Sequence, residues 1–388
     1  MSAAPDSEAA RAGTPVPDGF RVLHVLGSAE DDGGILSVVR QARDAHGFSH
    51  SVLVHDRFAQ RRTPTLRLET NPWLIAESDS HPRLFLRAFL AAPGVLRTMR
   101  RGGYRVLHAH SRGAFALSLV LSRLPVRFPI LFTNHTYARR VALYRDAALS
   151  GRMTTVVLTP AMAAHYGLSP VPERVEIIPA CCAPELFERP IAPVARTGTR
   201  IRLVGVGNLV RWKKWNLVLD ALARLPVPLR QRLHFTLWGP TPADPDSQAF
   251  GASLRDAVGR LGLAPYVRLA GPTNDVRGAV EASDVFVLPS TNEPCSVALA
   301  EALALGRHAV VSASGGNVDI VRDGSTGRLF RPDDPEDLAR QFAGFAEGHW
   351  PDASPGQCRD SVRHHSGPAV WERYADLYRR LPGGLSRP

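Results

Sequence analysis

The sequence predicts an α/β protein built from two Rossmann-like, doubly wound domains that face each other across a cleft. Short apolar runs alternate with helix-period segments along the chain, the mark of βα units and parallel sheets. The pattern stops at a Pro/Gly/Thr-rich stretch, Ala192-Pro-Val-Ala-Arg-Thr-Gly-Thr199, and then restarts. A length of 388 residues exceeds one ordinary core and suits two.

In order along the chain, residues 1–18 are rich in Ala, Pro, Ser and Asp, and read as a disordered tail with no apolar core for a signal peptide. Phe20-Arg-Val-Leu-His-Val-Leu-Gly27 is a strand ending in Gly, followed by a loop holding Gly33-Gly34 and a helix from about Ile35 to His46, a Rossmann-type opening. Further strands are expected at 51–55, 106–110, 130–133, 155–158 and 175–178. They close a first domain over 19–191. The second domain, 200–365, opens with Ile201-Arg-Leu-Val-Gly-Val-Gly207 and repeats the alternation through strands at 234–238, 267–270, 285–288 and 308–311. Residues 366–388 include a closing helix with Trp371, Tyr374, Leu377 and Tyr378 at helical spacing. Ligands of such folds lie beyond the carboxyl ends of the strands, which makes the cleft between the halves the default site.

Composition is that of a globular enzyme, 44% hydrophobic and 21% charged. No apolar run approaches the roughly 20 residues of a spanning helix, so the expected location is the cytoplasm, with peripheral contact at the inner membrane face admissible. Cys181, Cys182, Cys295 and Cys358 have neither CxxC spacing nor a His at ligand distance, which leaves reduced thiols, with the Cys181-Cys182 pair read as packing. No metal or other cofactor is expected. The net charge of +11 is concentrated: His81 to Arg145 holds 12 arginines and no acid. Its field calls for solvent counterions, distant acids or an anionic partner. Arg83 and Arg87 among Leu84, Phe85, Leu86, Phe89 and Leu90 resemble an interfacial helix, interrupted by Pro93, that could rest on anionic lipid.

Of 47 basic residues only two are lysines, and they are adjacent, Lys213-Lys214, between Trp212 and Trp215 and just after a Gly-rich strand end. A flexible ammonium follows a phosphate as a point charge, where the Arg fork prefers one bidentate pose. A second candidate lies at Leu288-Pro-Ser-Thr-Asn-Glu293-Pro-Cys-Ser-Val-Ala-Leu-Ala-Glu301-Ala-Leu-Ala-Leu-Gly306, with carboxylates eight positions apart. Eight helical steps return to within about 80° of the start, so both can address one ligand. The helix start near Ser296 and Val297 offers unpaired N–H groups to an anion.

This segment resembles the Glu-x7-Glu signature of retaining glycosyltransferases of the GT-B fold, most closely glycosyltransferase family 4. Its frame extends the resemblance, from Ala282-Ser-Asp-Val-Phe-Val-Leu-Pro-Ser before it to Ser314-Gly-Gly-Asn-Val-Asp-Ile-Val-Arg-Asp-Gly-Ser-Thr-Gly327 after it. The match covers most of the chain and is strongest over 201–340. It implies a sugar transfer from a nucleotide-diphosphate donor to a hydroxyl acceptor, with no metal. Glu301 would bind the ribose hydroxyls. Glu293 and the N–H groups of Cys295, Ser296 and Val297 would hold the donor sugar and phosphate oxygens. Lys213, with Arg211 beside it, would sit on the diphosphate, with Gly207, Asn208 and Lys214 close by. His135 would touch the sugar across the cleft, and Gly33-Gly34 would form the acceptor or phosphate loop. The closing helix would cross back to the first domain and serve cleft closure. Three positions depart from the family: Asn208 stands where Arg is common, Ser296 where Gly is frequent, and Asp319 replaces a frequent Glu.

Other residues carry plainer readings. His108 and His110 flank a strand end and are left as half-buried strand residues, and His364-His365 as solvated surface. Two alternatives stand beside transfer. A nucleotide-sugar 2-epimerase of the same fold would need no acceptor. A basic nucleic-acid-binding protein would account for the arginines, but no groove-reading motif accompanies them, so no nucleic acid is expected. The donor nucleotide, the sugar and an anionic or lipid-linked acceptor are not named by these residues.

Overall fold

The computed structural model describes residues 20–30, 34–42, 47–60, 66–78, 80–192 and 200–381. Two parallel sheets carry the fold. The first contains β1 (Phe20–Val25), β2 (Phe48–Val54), β3 (Arg67–Thr70), β4 (Tyr104–Ala109), β5 (Ile130–Asn134), β6 (Thr154–Val157) and β7 (Val175–Ile177), in the order β3-β2-β1-β4-β5-β6-β7. The second contains β8 (Ile201–Val206), β9 (Leu233–Trp238), β10 (Val267–Gly271), β11 (Val285–Leu288), β12 (His308–Ser312) and β13 (Gly327–Phe330), in the order β10-β9-β8-β11-β12-β13. Both orders reverse direction beside their first strand, at β1/β4 and at β8/β11, which is where a doubly wound sheet opens a crevice for ligand.

The central strands are buried on both faces. β5 and β12 have no exposed residue, and Val285, Phe286, Val287 and Leu288 of β11 are fully covered. Such strands read as continuous apolar runs, and the sequence-based expectation finds them to within a residue or two. β3 was not foreseen. It is an edge strand, Arg67-Leu-Glu-Thr70, with exposed ends and no apolar run to mark it.

Two expectations are corrected here. The segment around Pro93 is one uninterrupted helix, His81–Arg101, of 21 residues. Pro93 removes the donor to the Phe89 carbonyl, but Pro93 lies on the outer side of the helix, where water can take that place. The helix predicted from Ile35 spans Gly34–Val39, and its expected end at 43–46, like Gly33, the tail and most of the 192–199 linker, lies outside the described residues.

The helix Gly367–Arg380 follows the second sheet in sequence but packs on the first. Trp371, Tyr374, Leu377 and Tyr378 are buried, Tyr378 bonds His108 at 2.7 Å, and Tyr374 bonds Thr133 at 3.0 Å. His365, just before it, is buried rather than solvated, and its Nδ1 lies 2.8 Å from the Ala180 carbonyl, whereas His364 stays exposed. A buried carbonyl needs a partner, and that need draws His365 inward.

Candidate functional site

A cleft of about 1050 Å³ lies between the two sheets and is lined from both halves of the chain. Gly34 and His135 come from the first half; Gly207, Asn208, Lys213, Glu293, Cys295, Ser296, Val297 and Glu301 come from the second. These are the carboxyl ends of β8 and β11, at the second sheet's switch point.

Lys213 ends a short 3-10 turn, Arg211–Lys213, that follows β8. Its ammonium lies 4.5 Å from the centre of the Trp212 ring and forms an ion pair with Glu293. Glu293 is almost fully buried and also accepts a hydrogen bond from Ser290 Oγ at 2.7 Å. Burying a carboxylate is costly unless such partners replace water around it. The loop that presents it is gripped from behind. Gly316 N–H donates to the Glu293 carbonyl at 2.7 Å, and a Cβ on Gly316 would come within 2.4 Å of the Pro294 carbonyl oxygen. Gly315 has φ 58°, a region open to glycine at little cost.

Beyond that loop, Ser296 caps the helix Val297–Ala304 by accepting from Leu299 N–H. The N–H groups of the first turn have no acceptor in the helix itself and form the positive end of its dipole. The carboxyl of Glu301, one turn further on, makes no hydrogen bond among the described residues, and burial pushes it up to about 7. Among the described residues it lines the cleft with its hydrogen-bonding capacity unspent. Cys295 is buried, which pushes its thiol up to about 12 and leaves it inert as a nucleophile.

Two expected site residues are not brought to the cleft. Arg211 turns outward to pair with Asp246 at 2.7 Å. Lys214 takes the left-handed backbone conformation, φ 54°, and pairs with Asp333. The left-handed residue reverses the chain, so the two lysines part company. Asn208 lines the cleft, but its main role visible here is to accept, through its carbonyl, the indole N–H of the fully buried Trp215 at 3.1 Å.

Sequence reading missed two features. The loop Thr273-Asn274-Asp275 after β10 lines the cleft, and only its place at a strand end could have signalled it. His135 is also joined to a row of buried histidines, His110, His24 and His50. Their signal was a His recurring near the ends of adjacent apolar strands.

The comparisons with known proteins agree with this frame. Residues 200–347 match the family described as Glycosyl transferases group 1. A D-inositol 3-phosphate glycosyltransferase of Geodermatophilus obscurus is 30% identical over 254 residues, covering 58% of this chain and 53% of that protein. One from Streptosporangium roseum is 27% identical over 323 residues, covering 74% and 72%. The chain thus spans from about half to under three quarters of the length of these two curated relatives. Among solved structures, sucrose-phosphate synthase from Thermosynechococcus elongatus superposes with a TM-score of 0.76 at 19% identity, over 93% of this chain and 98% of that one. Anabaena HepE in complex with UDP superposes at 0.73 and 18% identity, over 93% and 100%. These likenesses establish the GT-B fold.

Proposed function

We propose that this chain, a GT-B enzyme of the glycosyltransferase family 4 type whose second half belongs to the group 1 glycosyl transferases, moves a sugar from a nucleoside-diphosphate donor to an acceptor hydroxyl with retention of configuration. The observation that carries the reading is the convergence, in one cleft, of an ammonium, an open helix start and an unpartnered carboxyl. Those three suit a diphosphate, its phosphate oxygens and a ribose in turn.

The diphosphate lies against Lys213 and the N–H groups at Cys295, Ser296 and Val297. Glu301 accepts from the ribose hydroxyls. Lys213 now answers the diphosphate, and Glu293, still held by Ser290, is freed to accept from sugar hydroxyls. As the bond from the anomeric carbon to the diphosphate oxygen breaks, its electron pair moves onto that oxygen. The cation and the fixed N–H groups stabilise this charge more in the transition state than before it. No metal is required in this scheme, because the ammonium and the helix start supply the positive charge.

UDP-sugars are the first donors to test, since HepE of the same fold was crystallised with UDP and with UDP-glucose. A phosphorylated or lipid-linked acceptor fits the arginine-rich first half, as do the inositol phosphate relatives. Contact with an anionic membrane fits the outer face of the helix His81–Arg101. Leu86 and Phe89 there are 60% and 66% exposed, and Arg97, Arg100 and Arg101 make no ion pair among the described residues. No helix among those residues is long and apolar enough to cross a membrane. A thermal-shift series with UDP-, GDP-, ADP- and TDP-sugars tests the donor, because at equal concentration the tighter-bound ligand raises the melting point further. No shift and no turnover with any of them would overturn the reading, and vesicle co-sedimentation indifferent to anionic lipid would remove the membrane contact.

A further inference from the structure

The carboxyl of Glu293 is engaged on one oxygen only. The Lys213 ammonium and the Ser290 hydroxyl both donate to Oε1, the hydroxyl at 2.7 Å, whereas Oε2 accepts no hydrogen bond among the described residues. The side chain is 6% exposed and lines the cleft. A buried carboxylate oxygen ordinarily has a partner, so half of this group's capacity is open. Ser290 holds the side chain, and the Gly316 N–H holds the Glu293 carbonyl at 2.7 Å, so the carboxyl keeps its place when the ammonium is drawn away.

The cations around it are already paired. Arg211, Lys213 and Lys214 stand within one turn of chain, and each meets a carboxylate from a different element: Asp246, Glu293 and Asp333. Arg211 and Asp246 are 61% and 65% exposed and hold each other weakly. The Lys213–Glu293 pair is the one covered by protein. The lining of the cleft as a whole contains three Arg or Lys residues and four Asp or Glu. An anion entering it meets no surplus of positive charge.

That balance separates two ligands that differ only in the sugar. In a nucleoside-diphosphate sugar the terminal phosphate is esterified and carries one negative charge. In the bare nucleoside diphosphate that oxygen is free, and the phosphate carries most of a second negative charge at neutral pH. The sugar brings hydroxyl donors that a carboxylate accepts. The bare phosphate brings none, sets its added charge near a buried carboxylate, and competes for that carboxylate's counterion.

We propose that Glu293 makes this cleft select the sugar-bearing donor over the bare nucleoside diphosphate, and so favours release of the product that transfer leaves behind. The inference rests on the transfer reading above. Before binding, Lys213 neutralises Glu293. As the donor enters, its diphosphate draws on the ammonium, and sugar hydroxyls fill Oε2 and replace the lysine at Oε1. Once the sugar has left with the acceptor, Glu293 faces a more highly charged phosphate and has lost its donors. Return of Lys213 to Glu293 then competes with the product for the ammonium. The rival role is structural, the pair pinning the loop that Gly316 grips, and it predicts that loss of Glu293 weakens both ligands alike.

Calorimetry of the full chain with UDP, GDP, ADP and TDP, each beside the corresponding nucleotide-glucose, reads the selection. For the nucleotide that binds, the sugar-bearing form should bind at least about tenfold more tightly, the scale of one hydrogen bond to a charged group. Glu293→Gln removes the charge and releases Lys213, so the bare diphosphate should tighten and the preference should shrink or reverse. A natural protein that holds the bare diphosphate as tightly as its sugar ester, or a Glu293→Gln variant that weakens both alike, would overturn the proposal. A second readout needs no nucleotide. Since the chain has only two lysines, nitrogen-15 labelling of lysine gives two ammonium signals, and Lys214→Arg identifies them. Inorganic pyrophosphate should move the Lys213 signal at about tenfold lower concentration in Glu293→Gln than in the natural protein, and equal concentrations would also overturn the proposal. If Glu293→Gln fails to fold, the natural protein's ranking of the two ligands decides. No binding of any nucleotide sugar, with the pyrophosphate difference present, would instead count against the transfer reading.

Discussion

Asp319 of the second domain accepts a hydrogen bond from the backbone N–H of Ala161 in the first, at 2.8 Å across the mouth of the cleft. Ala161 lies in the first turn of the helix Pro160–Tyr166, where a carboxylate also meets the positive end of the dipole. Beside it, Thr159 donates to the Pro294 carbonyl at 3.3 Å, next to Glu293. These contacts tie the loop that carries Glu293 to the opposite domain.

Asp319→Ala should therefore loosen closure more than it loosens the fold. We expect kcat and donor KM to worsen together, by about tenfold for a contact of about 1.4 kcal/mol, with the melting point nearly unchanged. Steady-state kinetics beside calorimetry checks this. A large loss of melting temperature with normal kinetics would contradict it.

Lys213→Ala leaves Glu293 buried without its cation. The cost of breaking such a pair is about 3 kcal/mol, and turnover should fall at least about a hundredfold. Adding Glu293→Gln removes the stranded charge. The double variant should recover most of the stability and none of the activity, as read by urea midpoints and donor turnover.

Glu301 gives a pH signature of definite sign. Its carboxyl is raised by burial to about 7, above the value of 4.5 it has when unburied. Protonation thus favours the folded state, and that contribution is fully present below pH 4.5 and lost as pH climbs through 7. Glu301→Gln should match the natural protein in acid and exceed it in stability at pH 8. It should also lose donor affinity, whereas the natural protein should bind donor more tightly as pH rises through 7. Urea unfolding and calorimetric binding at pH 5 and 8 test both.

Gly316→Ala would push a Cβ to within 2.4 Å of the Pro294 carbonyl oxygen. The φ of −71° is open to any residue, so the damage is purely steric. The loop carrying Glu293 must move, and donor turnover should drop about tenfold or more for a displacement near 1 Å. Single-turnover kinetics with a saturating donor would show it.

Much of this fold is legible in the sequence because its inner strands are covered on both faces and spell themselves as Val/Leu/Ile runs. β3 escaped because an exposed edge needs no such run. The cleft residues Lys213, Glu293 and Glu301 could be found because they stand just after strands or within a helix that follows one. Arg211 and Lys214 could not be placed, since nothing in Arg-Trp-Lys-Lys announces that Lys214 adopts φ 54° and turns away. The histidine row stayed hidden for a different reason. Each ring looks like an ordinary strand residue until β1, β2, β4 and β5 are laid side by side.

The helix Gly367–Arg380 also bears on how the chain is made. A ribosome releases the seven strands of the first sheet long before residues 367–380, and the whole second domain emerges in between. Domains generally fold as they appear. Here the earlier one gains its cover over His24 and His108 only when Trp371, Tyr374 and Tyr378 have emerged. Until then it holds polar rings and apolar strands open to water, a nascent intermediate that chaperones would be expected to recognise.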